Sequence, residues 1–234
     1  MTISYQALGV TTSSLPDGIV GKSYSTTLAA AGGTTPLTWS VSSGNLPDGL
    51  KIDSSGTISG TPQAAGTFRF TAQVSDSSSP QQTATQDLSI FIAKASTTTQ
   101  LGITPSQSTA GDTITLSASI TAPSGGPPLG GTVTFAANGS TVCNNVTATG
   151  GSAHCTISLN TPGTYSITAN YSGDANYTGS SDTNASYTVR KAGARPSLTV
   201  APASGATVND SVTLTTTLQA TGPRTRRPAP SASP

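Results

Sequence analysis

Cys143 and Cys155 are the only cysteines of the chain, and the only histidine, His154, stands beside the second of them. Three chemistries use these residue types: a thiol activated by imidazole, a metal site of sulfur and nitrogen ligands, and a disulfide. Neighbouring residues on a strand point to opposite faces, so on extended backbone His154 and Cys155 do not share a site. No second histidine exists to serve a serine or an aspartate. Two thiols and one imidazole also fall short of a closed four-ligand zinc shell. The intervening NNVTATGGSAH reads as a hairpin turning near Thr149. With Ala148, Thr149 and Gly150 as a three-residue loop, residue 147 pairs with 151, 145 with 153 and 143 with 155. That register places the two sulfurs across neighbouring strands of one sheet, as a disulfide of an oxidising compartment or as two reduced thiols.

The acidic residues offer no second chemistry. All nine are Asp, with no Glu, and they fall mainly in turns rather than as the facing pair that glycoside hydrolysis needs. The expectation is that the chain is not an enzyme. Trp39, Tyr24, Phe68 and Phe70 could stack a sugar, yet each has the inward parity of its strand, where a sandwich core places its aromatics. Asn-X-Ser/Thr occurs at Asn138, Asn145, Asn170, Asn176, Asn184 and Asn209, a pattern that matters only in a host that glycosylates asparagine. A net charge of +1, with 8% of residues charged, points to no nucleic-acid partner and no membrane surface. No run is apolar for long enough to insert in a bilayer, and the opening MTISYQALGV is not a signal peptide, so export is expected to be directed from elsewhere.

The elements that position these residues are strands. The abundance of Thr, Ser and Gly, and the lack of Glu, favour strands and turns over helices. Period-2 apolar runs recur: Tyr24, Thr26, Leu28, Ala30; Leu37, Trp39, Val41; Phe68, Phe70, Ala72, Val74; Leu88, Ile90, Ile92. Pro-Asp-Gly at 16–18 and 47–49 and Ser-Ser-Gly at 54–56 bound them as turns. The pattern predicts an all-β sandwich over residues 1–95. A polar joint at 96–100 leads to a second sandwich over 96–190, with runs at Ile114–Ile120, Val133–Phe135, Cys155–Leu159, Tyr165–Tyr171 and Tyr187–Val189. Proteases are expected to cut this joint, or the tail, before either sandwich.

The pattern then restarts. Leu198 to Gly222 parallels Leu101 to Gly125, with Pro202 answering Pro105, and Val212 and Leu214 answering Ile114 and Leu116. A spacing near one hundred residues is that of a sandwich repeat. Residues 191–222 hold only its first two strands, and 223–234, PRTRRPAPSASP with Arg224, Arg226 and Arg227 close together, are expected to be a disordered tail. A shifted reading frame beyond Gly222 is one expectation for this break; a genuine basic tail is the other.

The order Gly21, Tyr24, Pro36, Trp39, Leu46-Pro47-Asp48-Gly49-Leu50, Ser59-Gly60-Thr61-Pro62, Gly66, Phe68 resembles the Putative Ig domain family of bacterial surface proteins, which are cadherin-like sandwiches. GTVTF at 131–135, PGTYSITANYSGDANY at 162–177 and SYTV at 186–189 resemble a second family, a bacterial Ig-like repeat. The resemblance implies tandem immunoglobulin-like sandwiches, monomeric modules of a larger extracellular or cell-surface protein, acting as spacer or adhesion units. The partner it implies is a surface protein or a glycan, and the alternative is an accessory, carbohydrate-binding module of a secreted enzyme. Cadherin-like domains also bind calcium at their joints, which makes Asp17 and Asp76 weak calcium candidates against ordinary turn-capping aspartates; no other cofactor is implied. The Ser172-Gly173-Asp174 turn between Tyr171 and Tyr177 is expected to staple a sheet edge.

Overall fold

The computed structural model describes residues 7–201 and 204–220. All regular structure among them is strand. The expected disordered tail at 223–234 lies outside the described residues.

The first unit holds β1 (Gly9–Val10), β2 (Gly18–Ile19), β3 (Tyr24–Thr27), β4 (Ala30–Ala31), β5 (Thr38–Gly44), β6 (Leu50–Ile52), β7 (Thr57–Gly60), β8 (Gly66–Ser75) and β9 (Thr83–Ala93). One sheet runs β2-β9-β8-β5 and the facing one β3-β7-β6. The alternation read from the sequence sets the inner face: Phe70, Ala72, Val74, Leu88, Ile90 and Ile92 are buried together with Tyr24, Trp39 and Ile58. The aromatics therefore pack as core, with Phe68 half-buried at its edge. Gly56 closes the Ser-Ser-Gly turn at φ +89°, and a methyl group there would stand 2.7 Å from the Trp39 ring. Both the backbone and the tryptophan thus require glycine. Asp53 caps the same turn, accepting from Ser55 N at 2.9 Å and Thr57 N at 3.0 Å.

The second unit holds β10 (Thr98–Thr104), β11 (Ser108–Thr109), β12 (Thr113–Thr121), β13 (Thr132–Ala137), β14 (Ser140–Thr147), β15 (Ser152–Ser158), β16 (Gly163–Tyr171) and β17 (Ser180–Arg190). Its sheets are β10-β12-β15 and β11-β17-β16-β13-β14. Between them lie Ile114, Leu116, Ile120, Val133, Phe135, Ile167, Tyr171, Tyr187 and Val189.

The hairpin expected around Thr149 is a correction. Its turn is two residues, Gly150 and Gly151, both at positive φ (57° and 77°). Thr149 and Ser152 exchange backbone hydrogen bonds across it at 2.9 and 3.1 Å. Beyond that pair the strands part, because each has a better ladder elsewhere: β14 pairs with β13, with Cys143 opposite Phe135, and β15 pairs with β12, with Cys155 opposite Leu116. The turn therefore crosses from one sheet to the other instead of closing a two-stranded ribbon.

Residues 194–220 form an antiparallel pair, β18 (Ala194–Ala201) and β19 (Thr213–Ala220). Its register reproduces that of β10 and β12. Leu198 stands opposite Thr216 and Val200 opposite Leu214, as Leu101 stands opposite Ala118 and Ile103 opposite Leu116. The equivalence holds once the one extra residue in the connecting loop is counted. The covering sheet differs: Ile114, Leu116 and Ile120 are 1%, 0% and 4% exposed, whereas Val212, Leu214 and Leu218 are 47%, 64% and 73% exposed.

Candidate functional site

Cys143 and Cys155 are joined by a disulfide with their Cα atoms 6.7 Å apart. Since β14 is the edge of one sheet and β15 the edge of the other, the bond clips the two layers of the sandwich along their open side. His154 is exposed and its neighbours Ala153 and Cys155 are turned inward, so imidazole and sulfur lie on opposite faces of β15.

The two calcium candidates are not brought together. Asp76 follows β8 and its N–H donates to the Gln82 carbonyl just ahead of β9, while Gly18, next to Asp17, pairs with Ile92 at the far end of β9. A strand of that length separates them by roughly 30 Å. Asp76 is a loop clamp. Its carboxylate accepts from Thr34 N (3.0 Å), Ser78 Oγ (2.7 Å), Ser78 N (3.2 Å) and Gln82 N (2.8 Å), and it is only 2% exposed. Burial raises its pKa, and these donors more than offset that, holding it at about 2. No cluster of three or more metal-binding side chains occurs among the described residues. Asp17 is exposed and lines a shallow groove with Ser43, Arg69, Asp87 and Phe91 on the outer face of the first unit.

A depressed carboxylate pKa stabilises the fold above the unfolded value, and that contribution disappears as pH falls through the folded one. The first unit should therefore lose stability between about pH 4 and pH 2, from the ordinary value of 3.8 down to about 2. Urea titrations at pH 6 and pH 2.5 check this. The drop should be smaller in Asp76→Asn than in the native chain; an equal drop would remove the clamp from the explanation.

The most elaborate constellation is the joint between the two units. The sequence pattern assigns the Ser172–Asp174 turn to a sheet edge only. Asp174 does organise its own loop, accepting from Asn176 N and Gly130 N at 2.8 Å and Tyr177 N at 2.9 Å. The loop also grips the first unit. Ala95, fully buried, donates its N–H to the Asn176 carbonyl (3.0 Å) and accepts from Thr178 N (2.9 Å). Asn176 Oδ1 accepts from Ala65 N at 2.9 Å, the Lys94 ammonium donates to the Asp174 carbonyl, and Gln63 Nε2 donates to the Gly125 carbonyl at 2.7 Å. Tyr177, 2% exposed, packs with the core of the first unit alongside Ala122 and Leu129, and its hydroxyl donates to the Pro127 carbonyl at 2.6 Å. Burial, and secondarily Asp174, raises the Tyr177 pKa, and the same causes push Tyr171 to about 12.

The backbone at Ala95, just ahead of the polar joint at Ser96–Gln100, is tied on both sides. Trypsin should leave the bond after the exposed Lys94 intact while it cuts after Arg190 or Lys191, both exposed, or in the Arg-containing tail beyond Gly222. Mass spectrometry of the early fragments reads the outcome, and a first cut at Lys94 would contradict the bonding described. Of the glycosylation-type asparagines, Asn138, Asn176 and Asn184 spend their side-chain oxygens on the backbone N–H of Ser166, Ala65 and Ser186.

Comparison with known proteins adds family to this geometry. Residues 6–92 match the model of the Putative Ig domain, and residues 101–190 that of the Bacterial Ig-like domain (group 3). A search of curated proteins returns no match. Among solved structures, the N-terminal eight Ig domains of Down Syndrome Cell Adhesion Molecule align at 14% identity and TM-score 0.41, over 83% of this chain and 25% of that one. The titin domains z1z2 in complex with telethonin align at 16% and 0.41, over 81% and 99%. Fibronectin(III)-like modules of CbhA from Clostridium thermocellum align at 12% and 0.34, over 79% and 94%. The chain spans about a quarter of the length of the first of these. With both sandwiches matched along nearly their whole length, the chain belongs to the bacterial Ig-like domains, a Putative Ig domain followed in tandem by a group 3 Ig-like domain.

Proposed function

We propose that the chain is a non-catalytic spacer and adhesion module of a protein displayed outside a bacterial cell. The observation that carries this reading is the joint. It ties the carboxyl end of β9 and the Pro62–Ala65 segment of the first sandwich to the β12–β13 and β16–β17 loops of the second. These groups lie at one end of each sandwich, so the two stack end to end with a fixed connection, and each adds roughly 25–30 Å of reach. The disulfide supports an oxidising location. Spin labels placed on the outer faces of the two sandwiches should give one narrow distance by pulsed electron resonance; a broad distribution would mean a flexible tether.

The alternative is a sugar-binding accessory module, and the groove bearing Arg69 and the 47% exposed ring of Phe91 is the place it would use. Polysaccharide pull-down separates the two. The spacer reading expects no saturable binding, and saturable binding lost in Phe91→Ala would replace it.

A further inference from the structure

The fold treats the Asn-X-Ser/Thr triplets of the chain differently. An enzyme that modifies a folded protein must lift the asparagine and its Ser or Thr off the surface together, so a triplet already bonded elsewhere resists it. Asn138 Oδ1 accepts from Ser166 N at 2.8 Å, and Asn176 Oδ1 accepts from Ala65 N within the joint. Asn170 lies in β16 between Thr134 of β13 and Ser181 of β17, and the N–H of its Ser172 donates to the Thr132 carbonyl. Asn145 is exposed, yet its Thr147 stands opposite Thr132 in the β13 ladder. Asn209 is held at φ +84° inside the turn that Asp210 closes on Thr207.

Asn184 stands apart. On β17 it pairs with Ile167, and the next pair is Tyr187 with Tyr165, so Ala185 and Ser186 bulge against the single Ser166. The bulge takes the Ser186 N–H out of the ladder, and it donates to Asn184 Oδ1 at 3.0 Å. This Asx turn brings the first and third residues of the triplet together. On its other side β17 pairs with β11 only at Val189 and Arg190, so no strand of its sheet pairs with the bulge there. Asn184, Ala185 and Ser186 are all exposed. We infer that the β17 bulge makes Asn184 the acceptor of an N-linked oligosaccharide, transferred from a polyprenyl diphosphate sugar. In that step Nδ2 forms a bond to the anomeric carbon and gives up one proton. The bond from that carbon to the diphosphate oxygen breaks, and the diphosphate leaves with the electron pair. The disulfide is not disturbed, because β14 lies at the opposite edge of the same sheet.

The test incubates the purified 234-residue chain with a bacterial oligosaccharyltransferase and a polyprenyl-diphosphate oligosaccharide. Intact-mass spectra should show a single added glycan, and peptide mapping should place it on Asn184. N184Q and S186A should each abolish the addition, S186T should keep it, and N145Q and N209Q should leave it unchanged. Asn184 and Ser186 are exposed, so calorimetry should find the second sandwich of N184Q and S186A melting as in the native chain. Short peptides spanning each triplet, which have no fold to choose among them, serve as the reference and should be accepted at comparable rates. In the folded chain Asn184 should be favoured over every other asparagine by about tenfold or more, the factor imposed by first breaking one or two backbone hydrogen bonds. No transfer to the folded chain, transfer first at another asparagine, or transfer undiminished in N184Q would overturn the inference. So would a preference for Asn184 that is equally large among the peptides, since the bulge would then select nothing.

Discussion

Replacing Tyr177 by alanine should lower the thermal midpoints of both sandwiches, although the residue belongs to the second. Its ring is 2% exposed and lies against the core of the first, and its hydroxyl fixes the Pro127 carbonyl of a neighbouring loop. Removing a buried aromatic side chain costs about 3–5 kcal/mol, including the cavity left behind. For domains near one hundred residues each kcal/mol shifts the midpoint by roughly 4–8 °C. The two transitions together should therefore fall by at least about 12 °C, shared between the second sandwich, which carries the residue, and the first, whose core the ring lies against. Trp39 is the only tryptophan and sits in the first core, so its fluorescence reports that unit while calorimetry sees both. If the Trp39 transition stays at the native temperature, the joint does not couple the two units. Tyr177→Phe, which keeps the ring and loses one hydrogen bond, should cost only about 1 kcal/mol.

Converting both Cys143 and Cys155 to serine should destabilise the second sandwich by about 3 kcal/mol and leave the first unchanged. The bond closes a loop with a sequence separation of 12, and constraining the unfolded chain over a loop of that size is worth about that much. Because it clips two sheets rather than two strands of one ladder, the loss should fall on the packing of β14 and β15. Hydrogen exchange should accelerate at Ser140–Thr147 and Ser152–Ser158 before it does in β16. A denaturation midpoint for the second unit that is indifferent to reduction would show that the edge is held by its apolar contacts alone.

The architecture was largely legible in the residues, and its departures have one cause. Period-2 alternation tells which side chains face inward, and Ile90, Ile92, Ile114 and Leu116 lie buried as that alternation requires. It does not tell which sheet a strand joins. The Thr149 turn looks like an ordinary hairpin because its local sequence is one; only competition from β13 and β12 for the backbone hydrogen bonds splits its arms. The two lone cysteines still had only each other as partners, so their pairing was readable while its geometry was not. The joint failed to show for a similar reason. Lys94 and Asp174, or Ala65 and Asn176, lie far apart in sequence, and no short window contains both halves of such a contact. Asp76 stood as a calcium candidate by resemblance alone; the donors that occupy its carboxylate come from its own loop, at Ser78 and Gln82, and from Thr34 of a distant one. Only the fold assembles them around the carboxylate and uses up its oxygens.

A consequence of mechanics follows from the way each sandwich begins and ends. Gly18–Ile19 runs parallel to Ile92–Ala93 in the first, and Ser108–Thr109 parallel to Val189–Arg190 in the second. When a tandem array is stretched, the pull enters a domain near its first strands and leaves through its last. Parallel partners drawn in opposite directions slide past one another in shear, so their hydrogen bonds are strained together instead of being peeled open in succession. A module stretched between a surface and an anchor would resist tension at those two short pairings first, with the ladders of β8 and β9 and of β16 and β17 remaining intact until they yield.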